Sequence, residues 1–198
     1  MLTTIGIVAL GFDLMAQPSL AQGKTSLLGL TQTYCMANHA ETKAVMAAAD
    51  AHQWSALPDQ MRATLADLFV KNQDGRLLTV GDDKYVLLAG ERTPPLPDNA
   101  KPDVAVRWRV CVVIKYGKGD FESTLSDVTH WVGFEPAISG GVQSWSFHTT
   151  PDGRRAPSSM TETSAKKLLA NGPIETIAIK PTRFNGGELT YGVLSLAS

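Results

Sequence analysis

The clearest alternation in the chain runs from Val104 to Ile114, where Trp108, Val110, Val112 and Ile114 fall on one side and Arg107, Arg109, Cys111 and Val113 on the other. A period of two with both sides largely apolar predicts a long strand, buried on two faces and central in its sheet. Val142 to His148 alternates as well. It places Val142, Ser144, Ser146 and His148 against Gln143, Trp145 and Phe147, and it turns at Pro151-Asp152-Gly153. Leu77–Val80 and Tyr85–Ala89 flank Gly81-Asp82-Asp83, while Ile174–Ile179 and Leu189–Leu196 frame Asn185-Gly186-Gly187, two hairpin signatures.

A helical period governs the first third. Leu27, Leu28, Leu30, Tyr34 and Cys35 share one face, and Asn38 stands in capping-box spacing with Glu41 ahead of Val45, Met46 and Ala49. Pro58 suits a first turn, followed by Met61, Leu65, Leu68 and Phe69. Asp74-Gly75 is expected to end this helical region. Pro94, Pro95, Pro97 and Pro102, with Asp98-Asn99, mark an exposed connection, because proline cannot donate to a ladder. Asp120 caps a helix carrying Phe121, Leu125, Val128 and Val132 that stops near Gly133, and Thr161–Leu169 predicts a short helix. The pattern therefore predicts an α+β fold, with N-terminal helices packed on a mostly antiparallel sheet of about six strands.

The 198 residues include 43% hydrophobic and 19% charged positions, enough apolar surface to exclude a disordered chain. An apolar run from Thr3 to Phe12, followed by Gln17-Pro18-Ser19-Leu20-Ala21, reads as a secretory signal over residues 1–21. Residues 22–198 are then a single α+β domain, periplasmic or secreted. The run is shorter than the roughly 20 apolar residues of a membrane span, so no stable membrane insertion is expected. A formal net charge of -1 gives no field for a phosphate backbone, which argues against nucleic acid as a partner.

Cys35 and Cys111 are the two cysteines, and an oxidising compartment allows them one intramolecular pairing. Closing so long a loop is worth about 4 kcal/mol in the chain-entropy account. The alternative is a pair of buried free thiols acting as small hydrophobes. Cys35, the Ala47-Ala48-Ala49 helix ending at Trp54, and a second cysteine on a strand at Cys111 together resemble a group of exported proteobacterial proteins of unassigned function. The resemblance covers Tyr34 to Trp54 and Arg109 to Trp131. It implies export and a cross-link, and it brings no activity.

Signals for chemistry are sparse. Gly23-Lys24-Thr25 lacks the upstream glycine of a phosphate loop, and Ser144-Trp145-Ser146 lacks the flanking glycines of a nucleophile elbow. The nearest metal spacing is Cys35 with His39, which oxidation of the thiol would abolish, so no metal and no cofactor are expected. Two site readings stand. One joins His130 or His148 to a carboxylate, Asp127 or Glu135, with Ser144 or Ser146 as nucleophile. The other makes Trp145, with Arg154 and Arg155, the rim of a peptide, glycan or anion site, against a purely core role for Trp108, Trp131, Trp145 and Phe147. The expected role is a binding or interaction module of the bacterial envelope, with an envelope protein, peptide or glycan as partner. A periplasmic hydrolase with a His-centred site is the alternative.

Overall fold

A computed structural model describes residues 25–64, 69–96, 103–117, 119, 121–181 and 186–197. The secretory signal over 1–21 lies outside these residues, as do Leu65, Leu68, Pro97, Asp98, Asn99, Pro102, Asp120 and Asn185. The described residues open with α1 (Leu27–Leu30), whose first turn is capped by Ser26 Oγ accepting from Gly29 N at 3.0 Å. It continues as a π-helical stretch, Thr31–Met36. Then come α2 (Thr42–Ala51), β1 (Ser55–Ala56), α3 (Asp59–Thr64), β2 (Lys71–Val80), β3 (Asp83–Arg92), β4 (Val106–Tyr116) and α4 (Phe121–Val132). The remainder is β5 (Ala137–Ser139), β6 (Val142–Thr149), β7 (Arg155–Pro157), α5 (Ala165–Leu168), β8 (Ile174–Pro181) and β9 (Gly187–Leu196).

One sheet holds all the strands, in the order β1-β2-β3-β4-β9-β8-β6-β5, with β7 beside β5 on the free edge of β6; every pairing is antiparallel. The α+β class and the antiparallel sheet follow the hydrophobic pattern, and β4 is central between β3 and β9. Two expectations are corrected. Among the described residues the sheet has nine strands, not six, because β1, β5 and β7 are two or three residues long and show no usable period. Among the described residues the helices are few and short: of those before β2, only α2 exceeds six described residues.

Local corrections have local causes. Asn38 does not cap α2; its Nδ2 donates to the Tyr34 carbonyl at 2.9 Å, and Glu41 takes the cap position without a side-chain bond. Thr161–Leu169 shortens to four helical residues, started by Ser164, whose Oγ accepts from Lys167 N. Asp74-Gly75 lies inside β2, not at its start. Gly75 is there for close approach, since a Cβ would fall on Leu57 and come within 2.7 Å of Leu88 Cδ2.

The two faces of the sheet are covered differently. On one, Tyr85, Leu87, Ala89, Cys111, Val113, Trp145, Phe147, Ile177 and Tyr191 are buried beneath α1, its π-helical continuation, α2 and α4. Leu30, Tyr34, Val45, Trp54, Val128 and Val132 supply the covering side chains. Cys35 and Cys111, both fully buried, are joined in a disulfide that ties this layer to β4, with Cα atoms 5.5 Å apart. On the opposite face, Val86, Leu88, Val110, Val112 and Ile114 lie under Leu57 and Phe69, and Ile174 and Leu194 lie under Leu168 of α5 and Leu169 just after it.

Candidate functional site

Between these two small clusters the second face is left open. Strand register sets its floor: Ser146, Thr176, Gly192 and Val110 form one cross-strand row, and Ser144, Ala178, Thr190 and Val112 the next. Side chains directly across antiparallel strands share a face, so the small residues of β6, β8 and β9 gather into a shallow trough. Ser144, Ser146, Thr176, Ala178 and Thr190 are all half-buried, and of these Thr176, Ala178 and Thr190 line the groove. The groove has a volume of about 200 Å³.

Trp108 forms one wall. It sits opposite Leu194 in register and its indole lies across Gly192, where a Cβ would meet Nε1 and stand 3.0 Å from Cε2. Trp108 packs against both flanking clusters, so the ring is held in place. Arg92 pairs with Trp108 across the β3–β4 ladder, with its guanidinium 5.0 Å from the Phe69 ring centre. Burial pushes its pKa down, with Glu188 opposing. At the far end Lys180 and Glu188 form an ion pair at 3.2 Å. The floor is thus mostly apolar with two threonine hydroxyls, of which Thr190 Oγ1 donates to Glu188 at 3.3 Å; one wall is aromatic, and the charges at the rim include a closed pair.

His148 lies on the same face, at the end of β6. Its Nδ1 is 2.9 Å from the Pro173 carbonyl oxygen and its Nε2 is 3.3 Å from Ser158 Oγ. The serines singled out with it are engaged elsewhere: Ser146 Oγ bonds Thr176 Oγ1 at 3.0 Å, and Ser144 Oγ donates to the Ala137 carbonyl at 3.4 Å. His130 is exposed on α4, in the helical layer on the other face, so the structure does not bring the two histidines together. Glu135 is exposed beyond the end of α4, and Asp127 is exposed on α4.

The proposed aromatic rim divides. Trp145 is 1% exposed, and its Nε1 donates to the Phe134 carbonyl at 3.0 Å, which makes it a core residue with Phe147. Arg154 is largely exposed and pairs with Asp152 at 2.6 Å. Arg155 lies 3.4 Å above the Trp131 ring and donates to the Trp131 carbonyl at 3.0 Å, an ordered cation–π stack away from the trough. Burial lowers its pKa, with Glu175 opposing. Cys35 is oxidised and cannot join His39 in binding a metal. Among the described residues no group of three or more His, Cys, Asp or Glu is arranged to hold a metal ion.

A larger hollow of about 340 Å³ lies between the start of α1, Lys115 of β4 and α4. Lys115, which lines it, is already paired with Asp83 at 2.8 Å.

Sequence reasoning missed Trp108 as a wall and Ser158 as the partner of His148. The alternation of β4 and β6 gave the face of each residue, but only the strand order shows which of them become neighbours. No protein-family model, no curated protein and no solved structure matches the chain.

Proposed function

We propose that this chain is an exported binding module of the bacterial envelope that takes a neutral, hydroxylated ligand, a glycan segment, in the trough on the uncovered half of its sheet. One observation carries the reading: a groove beside Trp108 in which the hydroxyls of Thr176 and Thr190 stand among the apolar surfaces of Val142, Ala178 and Ile179, left open where the rest of the sheet is covered. Sugar rings present hydroxyls to polar partners and C–H faces to an indole, which the mixed character of this groove suits. The Lys180–Glu188 pair neutralises the far end and gives an ionic ligand little advantage.

Export is supported by the Cys35–Cys111 disulfide, which persists in oxidising compartments. Among the described residues no helix is long and apolar enough to cross a membrane, which is compatible with release into the periplasm or beyond. Isothermal titration of the purified chain with soluble peptidoglycan fragments and neutral oligosaccharides tests the reading. Binding that is lost in Trp108→Ala, with the variant still folded, is the expected result. Equal affinity in Trp108→Ala, or no binding by any glycan, overturns it.

A further inference from the structure

From the surroundings of His148 we infer that Ser158 is an acyl-accepting nucleophile, activated by His148 for the hydrolysis of carboxylic esters presented on the same face of the sheet as the trough. Its nucleophile and base, Ser158 and His148, lie outside the groove lining, and only Thr176 of the groove takes part in both.

A carbonyl oxygen only accepts hydrogen bonds, so the 2.9 Å contact with the Pro173 carbonyl requires the ring proton of His148 on Nδ1. In the neutral ring Nε2 is then a bare lone pair, and it faces Ser158 Oγ at 3.3 Å. That separation is slightly long, as such pairs often are before substrate tightens them. Nucleophile, base and an orienting acceptor behind the base are the three roles of a serine-hydrolase site, here with a backbone carbonyl in place of the carboxylate.

The hairpin fixes this arrangement. His148 pairs with Ala156 across β6–β7, and Ser158 N donates to the Ser146 carbonyl at 2.8 Å, so Ser158 and His148 are diagonal neighbours on one face. Both side chains are half-buried and reachable. Across the ladder from Ser158, Ser146 and Thr176 share one hydrogen bond at 3.0 Å between two hydroxyls. Two hydroxyls carry two hydrogens and that bond uses one, which leaves a donor for the oxyanion.

In the forward step the Ser158 Oγ–carbonyl carbon bond forms as the hydroxyl proton passes to His148 Nε2. The ester C–O bond then breaks and that proton leaves with the alcohol. Water attacks the acyl-serine, gives its proton to Nε2, and releases the carboxylic acid while Ser158 recovers its hydrogen. No oxidant, reductant or metal enters the balance.

The test treats the folded full chain with a fluorophosphonate probe, maps the adduct by peptide mass spectrometry, and follows p-nitrophenyl acetate hydrolysis in parallel. A single adduct on Ser158 is expected, absent in Ser158→Ala and formed roughly 10²-fold more slowly or worse in His148→Gln. Heat-unfolded chain serves as the control and should not label. No adduct on the folded chain, an adduct on another serine, or unchanged labelling in His148→Gln overturns the inference. Glycan affinity measured on Ser158→Ala keeps the two readings apart, because binding there is expected to survive the loss of labelling.

Discussion

The indole of Trp108 occupies the space that a side chain on Gly192 would need, one strand away across the β4–β9 ladder. Glycine in a strand interior ordinarily weakens it; at this position the missing Cβ is what lets the ring lie flat on the sheet. Gly192→Ala is therefore expected to destabilise the fold by about 1–3 kcal/mol, the usual range for overpacking, and to displace the ring. Chemical denaturation together with the Trp108 indole N–H resonance checks both effects.

Cys35 and Cys111 are 76 positions apart, and both sulfurs are inaccessible to solvent. Constraining a loop of that length removes freedom from the unfolded chain, so replacing both residues by alanine should lower stability by about 4 kcal/mol on the chain-entropy account. Denaturation midpoints with and without reductant measure the difference. Full resistance of the native protein to reductant, with loss of stability only after unfolding, is the expected kinetic signature of its burial.

Helix α2 ends with Gln53 at φ 61, while Trp54 N bonds the Ala49 carbonyl and Gln53 N the Asp50 carbonyl, each at 3.1 Å. This is the Schellman pattern, in which the left-handed position favours glycine. Gln53→Gly should raise stability by about 1 kcal/mol, since the left-handed backbone is penalised for a side-chain-bearing residue. A thermal melt of the variant against the parent checks the sign.

Tyr191 and Glu91 each make stability depend on pH. Burial first, then the charge and hydrogen bond of Glu175 at 2.7 Å, raise the Tyr191 pKa far above the ordinary phenol value, with Arg109 opposing. Such a group stabilises fully below its unfolded pKa of about 10, and that contribution is lost as pH rises beyond it. Glu91 acts at the other end. Burial alone would push its carboxyl up, but the Asn72 and Lys71 hydrogen bonds and the charges of Lys71 and Arg107 outweigh it and carry it down. Its contribution is present above the ordinary carboxyl range and is lost as pH falls through the depressed value. Denaturant midpoints should therefore fall as pH rises above about 10, less so in Tyr191→Phe, and on the acid side more steeply in the parent than in Glu91→Gln.

Residues with a strong period were legible from sequence. The alternation of β6 sent Trp145 and Phe147 into the core and Ser144, Ser146 and His148 to the opposite face, and β4 displayed Trp108 and Cys111 on opposite sides. The partner of His148 was hidden. Ser158 follows a three-residue strand with no alternation of its own, and its position beside the ring comes from hairpin register. Gly75 misled for a related reason: its role is contact with Leu57, which belongs to a distant part of the chain. The trough itself arises from strand order, because β9 returns to lie between β4 and β8 and brings Gly192 and Thr190 beside Thr176 and Ala178.

The most direct test of the proposed role is a ¹⁵N-correlated NMR titration of the full chain with a soluble peptidoglycan fragment. Shifts confined to the Trp108 indole and the amides of Ser146, Thr176, Thr190 and Gly192, with Cys35 and Val45 unmoved, are the predicted result. Shifts centred on α4 or the π-helical segment, or none at saturating glycan, would contradict it.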